Sequence, residues 1–351
     1  MRQIVNINQK WAFKKQTAQV PAAIGEDWEY VDLPHSWNAV DGQDGGNDYW
    51  RGTAVYRKSF AAPEREENER VYIEFAGVAM SAEVILNGET IGTHEGGYSL
   101  FRFDLTDHLK QDNQLEVRTD NSANDRVYPQ MADFTFYGGI YRDVNLIVVN
   151  DAHFECVKDG TDGIKVTPIV NAEKKCAEIK VETWVSDGDE VVLSVVGQEY
   201  RAAVSEGTAY CKFEMKDVHL WDGIDDPYLY TLKAKLIKDG KVKDEVSVRF
   251  GCREFCMDAE KGFFLNGRSY PLRGVSRHQD RIGTGNALTH KEHDEDMAVV
   301  KDLGANTLRL AHYQHDQYFY DLCDENGIVV WAEIPYITKH MTAGKENALS
   351  Q

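Results

Sequence analysis

Tyr270-Pro271-Leu272-Arg273-Gly274-Val275, Thr307-Leu308-Arg309-Leu310-Ala311 and Ile328-Val329-Val330-Trp331-Ala332 read as three short apolar strands. Between the first two, Thr289 and Glu292 form a capping box, and Met297, Val300 and Leu303 recur at helical spacing until Gly304. Between the second and third, a helix around Tyr318–Glu325 stops at Gly327. Strand, helix, strand, helix, strand at this spacing predicts βαβ units on a parallel sheet. A closed (β/α)8 barrel needs about 250 residues. Residues 259–351 hold three strands, two helices and the start of another helix at Ala343–Ser350. The expectation is therefore the opening part of a TIM barrel, with an unpaired sheet edge.

Upstream the grammar is that of β-sheets. Ala82-Glu83-Val84-Ile85-Leu86 and Glu89-Thr90-Ile91 flank Asn87-Gly88, a pair suited to the two positive-φ positions of a type I′ hairpin. Val71–Phe75 and Leu115–Arg118 alternate apolar and polar residues, and Gly138–Val144 opens a further strand. Many short strands with hardly a helix predict a jelly-roll sandwich over 1–150. Beyond it, Ile179, Val181, Thr183 and Val185 share one face. Leu232, Ala234 and Leu236 lead through Lys238-Asp239-Gly240-Lys241 to Val246, Val248 and Phe250. This predicts an immunoglobulin-like sandwich over 151–258. The fold class is mainly β with a partial α/β segment.

Lys and Arg number 39 against 58 Asp and Glu, for a formal charge of -19. That balance argues against nucleic acid or an anionic membrane as partner, since phosphate recognition needs an excess of basic side chains. No apolar run of leader or membrane-span length occurs, and the expected location is cytoplasmic. The six cysteines, Cys156, Cys176, Cys211, Cys252, Cys256 and Cys323, lack CxxC or zinc-ligand spacing. Reduced structural thiols are the favoured reading, with a disulfide in the middle third as the alternative.

Taken in order, the motifs resemble those of family 2 glycoside hydrolases along nearly the whole chain. Leu33-Pro34-His35-Ser36-Trp37-Asn38, Tyr49-Trp50-Arg51-Gly52 and Tyr137-Gly138-Gly139-Ile140-Tyr141-Arg142-Asp143-Val144 are similar to motifs of the family's first domain. Trp221 with Asp226-Pro227-Tyr228 and Arg249-Phe250-Gly251 marks the second. Arg273–His278, Gly304–Tyr313, Asp321–Gly327 and Trp331-Ala332-Glu333-Ile334-Pro335 follow in the barrel segment. Asp41–Tyr49 and Arg277-His278-Gln279-Asp280 resemble the β-galactosidase branch more than the β-glucuronidase or β-mannosidase branches.

The resemblance implies a retaining hydrolase of terminal β-galactosides. His278, His312 and Glu333 fall at the C-terminal ends of barrel strands, where such barrels carry their sites. By motif position, His278 and His312 match residues that hydrogen-bond sugar hydroxyls, a task suited to imidazole, which donates on one nitrogen and accepts on the other. Arg309 matches a residue that steadies the nucleophile's charge. Asn47, Asp48 and Asp133 match positions where a jelly-roll loop grips the terminal sugar; the two aspartates are also ordinary turn residues. Trp50, Tyr137 and Tyr313 are candidates for stacking on a sugar or for core packing.

Retention needs two carboxyl groups about 5–5.5 Å apart. The family supplies the acid/base from an Asn-Glu pair after the fourth strand and the nucleophile after the seventh. The one Asn-Glu pair here, Asn68-Glu69, belongs to the jelly roll, so both catalytic carboxyls are expected beyond Gln351 and this chain alone is expected to be inactive. Ile337-Thr338-Lys339 stands where a magnesium-dependent branch has its Glu-x-His, so no metal is expected, and no cofactor is implied. The expected partner is a β-galactoside, with a homo-oligomer left open. A non-catalytic carbohydrate-binding protein or a parent β-glucuronidase is the alternative.

Overall fold

The computed structural model describes residues 2–16, 24–43, 48–158 and 160–349. A six-stranded antiparallel sheet runs in the order Glu29–Val31, Trp11–Lys15, Thr53–Ala61, Asp112–Asp120, Ser81–Leu86 and Glu89–Glu95. It faces a four-stranded sheet ordered Gln3–Asn6, Val144–Asn150, Glu69–Phe75 and Phe101–Asp104. In Asp112–Asp120 every second side chain points inward, so Asn113, Leu115, Val117 and Thr119 are buried while Glu116 and Arg118 are not. Trp11, Phe13, Tyr56, Phe75 and Leu146 fill the space between the two sheets. Asn87 and Gly88 take φ 55° and 87°, the turn geometry their residue types predict.

The next sandwich packs a three-stranded sheet, ordered Ile164–Asn171, Cys176–Trp184 and Thr208–Lys216, on a four-stranded one. The latter is ordered Gln198–Ala203, Glu190–Val195, Tyr230–Lys238 and Lys241–Phe250. Ile179, Val181, Thr183 and Val185 all face the core, as do Leu232, Ala234 and Leu236. All six cysteines are free. Both sandwiches, and the parallel segment after them, give the mainly β architecture with a partial TIM barrel.

In that segment the strands Gly274–Arg277, Thr307–Leu310 and Val329–Ala332 pair in parallel, with Gly274, Thr307 and Val329 in register. Helix His290–Asp302 begins with the Thr289–Glu292 capping box, and helix Gln317–Asn326 is capped by Asp316 and ends on left-handed Gly327. Leu308, Leu310 and Val330 point to the helices, against Met297, Val300, Phe319 and Leu322. The register therefore puts Ser276, Arg309 and Trp331 on the opposite face, the one that becomes a barrel interior. Among the described residues each outer strand of this sheet has one neighbour, and Val275 and Trp331 are exposed.

Two expectations need correction. The first barrel strand is Gly274–Arg277 and not Tyr270–Val275; Tyr270 instead buries its ring against Trp221 and Leu265. Leu303 caps the helix and is exposed, so the helical spacing of apolar residues ends one turn sooner. The residues at the chain's far end form a 3-10 turn, Lys345–Leu349.

Candidate functional site

A pair of buried asparagines shapes the jelly-roll side of the site. Asn38 accepts from Gly138 N and donates to Asp41 and to the carbonyl of Trp50. Asn121 donates to Asn38 and to the carbonyl of Phe136 and accepts from Gly52 N. These bonds satisfy loop backbone groups that would otherwise be buried unpaired, and they hold the chain around 38–52 against 121–138. Trp37 and Trp50 pack edge to face beneath them.

Above this platform a cleft of about 720 Å³ opens between the jelly roll and the barrel segment. Asp133, Phe134, Tyr137 and Arg51 line it from one side, His278 and Asp280 from the other. His278 and His312 stand at the ends of the first and second barrel strands with ring centroids 5.1 Å apart. Phe134 reaches across from the jelly roll, stacked on His312 at 5.6 Å and tilted against His278 at 5.6 Å. Arg309 donates from Nε to Glu333 Oε1 at 2.7 Å and from Nη2 to Oε2 at 3.1 Å. Nδ1 of His312 lies 3.1 Å from the same Oε2 and 3.0 Å from Arg309 Nη2. With a proton on Nδ1, His312 donates to Glu333 and keeps Nε2 as an acceptor.

Burial pushes the His278 pKa below its ordinary 6.5, and the neighbouring His312 and Arg309 push the same way against the pull of Asp280 and Asp133. Its ring is thus neutral near pH 7, with one donor and one acceptor to offer.

Of the residues singled out in the sequence, Asp133, His278, His312, Arg309 and Glu333 converge at this mouth. Asp48 is exposed beside the cleft-lining Tyr49 and is not drawn into the network. Asn47 lies outside the described residues. Tyr137 and Tyr313 are largely buried, and Trp50 packs against the jelly-roll core, so these rings act first as packing. Two cleft residues, Gln43 and Asp280, were not singled out in the sequence. Gln43 donates to Tyr137 Oη at 2.9 Å, and Tyr137 donates to Asp280 at 2.9 Å. Asp280, two residues past His278, and Gln43, within Asp41–Tyr49, both lie in quoted motifs, which say nothing of the contact through Tyr137 that joins them.

Two β-sandwiches thus lead into a parallel α/β segment, with a polar cleft at the strand ends. The model described as "Glycosyl hydrolases family 2, TIM barrel domain" matches residues 258–350. "Glycosyl hydrolases family 2" matches 148–253, and "Glycosyl hydrolase 2 galactose-binding domain-like" matches 40–140. The chain belongs to glycoside hydrolase family 2. It is 36% identical to a β-glucuronidase of Bacteroides fragilis, over 96% of this chain and 50% of that one. It is 31% identical to a β-galactosidase of Thermoanaerobacter pseudethanolicus, over 95% of this chain and 47% of that one. A crystal structure of an FMN-binding β-glucuronidase from Facaelibacterium prausnitzii L2-6 superposes with a TM-score of 0.90 at 42% identity. That match covers 99% of this chain and 54% of the other. The chain spans about half the length of the curated relatives it matches. Among the described residues, no helix is long and apolar enough to cross a membrane.

Proposed function

We propose that this chain supplies the sugar-gripping half of a retaining β-glycosidase that acts on terminal β-galactosides. The observation that carries the reading is the cleft where Asp133 faces His278 and Asp280. Carboxylates accept from adjacent hydroxyls, and a neutral imidazole donates to one hydroxyl while accepting from another, which suits a neutral pyranose. Carboxylates on both walls, Asp133 on one and Asp280 on the other, would repel a sugar acid. Arg309, locked to Glu333 on the interior face of the sheet, is set to steady a carboxylate nucleophile brought by a later strand. Acid/base and nucleophile are assigned to strands outside these 351 residues, so the chain by itself is expected to turn over nothing.

A β-glucuronide is the second reading. Arg51 lines the same cleft, and its guanidinium is suited to a sugar carboxylate; relatives named β-glucuronidase share 36% and 42% identity.

The test is to read the coding frame past codon 351, express the protein to its stop codon and assay it. Nitrophenyl β-galactoside and β-glucuronide are compared, and the first-formed anomer is followed by proton NMR. Faster galactoside cleavage that releases the β-anomer first supports the proposal. Preference for the glucuronide favours the second reading, and an immediate stop codon with no turnover overturns both in favour of a binding protein.

A further inference from the structure

Arg142 lies in the jelly roll, yet its guanidinium binds the two barrel loops that carry His278 and His312. Only 4% of the residue is exposed. Nη1 donates to the carbonyls of Ala76 at 3.2 Å and Tyr98 at 3.1 Å, which anchors the group to its own domain. Nη2 donates to Gln279 Oε1 at 3.2 Å and to the carbonyl of Gln314 at 2.7 Å. Gln279 follows His278 directly, and Gln314 lies two residues past His312. Nε stands 3.6 Å from Asp316 Oδ2. Gln279 Oε1 also accepts from Asp316 N at 2.7 Å, and the Asp316 side chain caps helix Gln317–Asn326. One planar cation thus joins the first loop, the second loop and the start of the second helix.

The neighbouring rings act along the same line. Tyr98 of the jelly roll stacks on Tyr313, the residue after His312, with centroids 4.2 Å apart and planes at 11°. Tyr141 donates to the carbonyl of Gly97, tying down the bend that precedes Val144–Asn150 and carries Arg142. A buried arginine without acceptors would be costly; this one is held by four donated bonds and an acidic neighbour, and moving either loop would leave part of the charge unmatched.

We infer that Arg142 is a positioning residue: it sets the spacing of His278 and His312 from outside the barrel, and so makes the barrel's sugar-binding mouth depend on the docked jelly roll. The consequence for sugar affinity rests on the function proposed above; the effect on the two histidines does not. Lysine keeps the charge but offers a compact ammonium on a flexible stem, without the fork that spans two loops.

The experiment records histidine side-chain NMR spectra of the 351-residue chain, its Arg142→Lys and Arg142→Met variants, and an Arg249→Gln control. Arg249 ties the second sandwich to the barrel through Glu325 and Asp321 and touches neither loop. In both Arg142 variants the His278 and His312 signals should shift or broaden, while those of His108, His153 and His219 stay in place. The control should leave the His278 and His312 signals in place. Binding of methyl β-galactoside, titrated in parallel, should weaken at least about tenfold in Arg142→Lys, since small misplacements of contact groups carry large penalties. Unmoved His278 and His312 signals in a folded Arg142→Lys chain would overturn the inference, whatever the sugar does. Moved signals in a chain that binds no sugar, parent included, would uphold the positioning role and sink the proposed function instead. Should Arg142→Met fail to fold, Arg142→Lys alone decides.

Discussion

Arg309 and Glu333 are joined side-on, Nε to Oε1 at 2.7 Å and Nη2 to Oε2 at 3.1 Å, tying the second barrel strand to the end of the third. Arg309 keeps 41% of its side chain exposed and Glu333 21%, so solvent screens the pair and its contribution to stability is small. In Arg309→Lys the unfolding free energy should stay within about 1 kcal/mol of the parent. The fork is lost nonetheless, and His312 then has Glu333 Oε2 as its remaining partner of the two. A shifted His312 NMR signal with nearly unchanged urea midpoint is the expected result; a large drop in midpoint would assign the pair to the fold.

Gly327 and Gly304 both take left-handed φ, 72° and 68°, after the two helices, but only one is crowded. A Cβ on Gly327 would lie 2.0 Å from the Gly223 carbonyl oxygen, where the second sandwich meets the barrel; on Gly304 it would meet nothing within 4 Å. Gly304→Ala should cost about 1 kcal/mol from φ alone, and Gly327→Ala roughly 2–4 kcal/mol as the sandwich contact is pushed apart. Urea unfolding of the two variants measures the difference, and equal losses would contradict the close approach.

Acid should weaken the jelly roll before it titrates carboxylates. Burial, with Lys15 adding to it, pushes His35 down to about 4, and burial pushes His94 down to about 4, against an ordinary 6.5. Between those values the unfolded chain binds more protons than the folded one, so stability rises with pH across that window. The contribution is complete above pH 6.5 and is lost as pH falls to about 4, on the order of 1–3 kcal/mol for each histidine. His94 stacks on Phe101 at 4.1 Å, so His94→Phe keeps the packing and should flatten the slope between pH 6.5 and 4. An unchanged slope would show that His94 titrates normally.

What was legible in the sequence was whatever is written locally. Asn87-Gly88, Asn266-Gly267 and Asp239-Gly240 all form positive-φ turns, and Thr289–Glu292 forms its capping box. Alternation in Ile179–Val185 sorted core from surface because a strand's side chains change face at every residue. Tyr270 misled because an apolar residue before a strand carries no sign of which layer buries it; here it is Trp221 of the other domain. The site was legible where a motif stands at a strand end, as with His278, His312 and Glu333. Gln43, which reaches Tyr137 and Gly283, and Arg142, which reaches Gln314, act across domain contacts that no local pattern records.

The proposed sugar site is shared by jelly roll and barrel, with Asp133 on one wall and His278 on the other. Saturation-transfer NMR of methyl β-galactoside with the 351-residue chain tests it directly, with methyl β-glucuronide as the competing ligand. Transfer to the galactoside that fades in Asp133→Ala and in His278→Ala, each still folded, is the predicted result. No transfer to either sugar, or transfer that both variants leave unchanged, would contradict it.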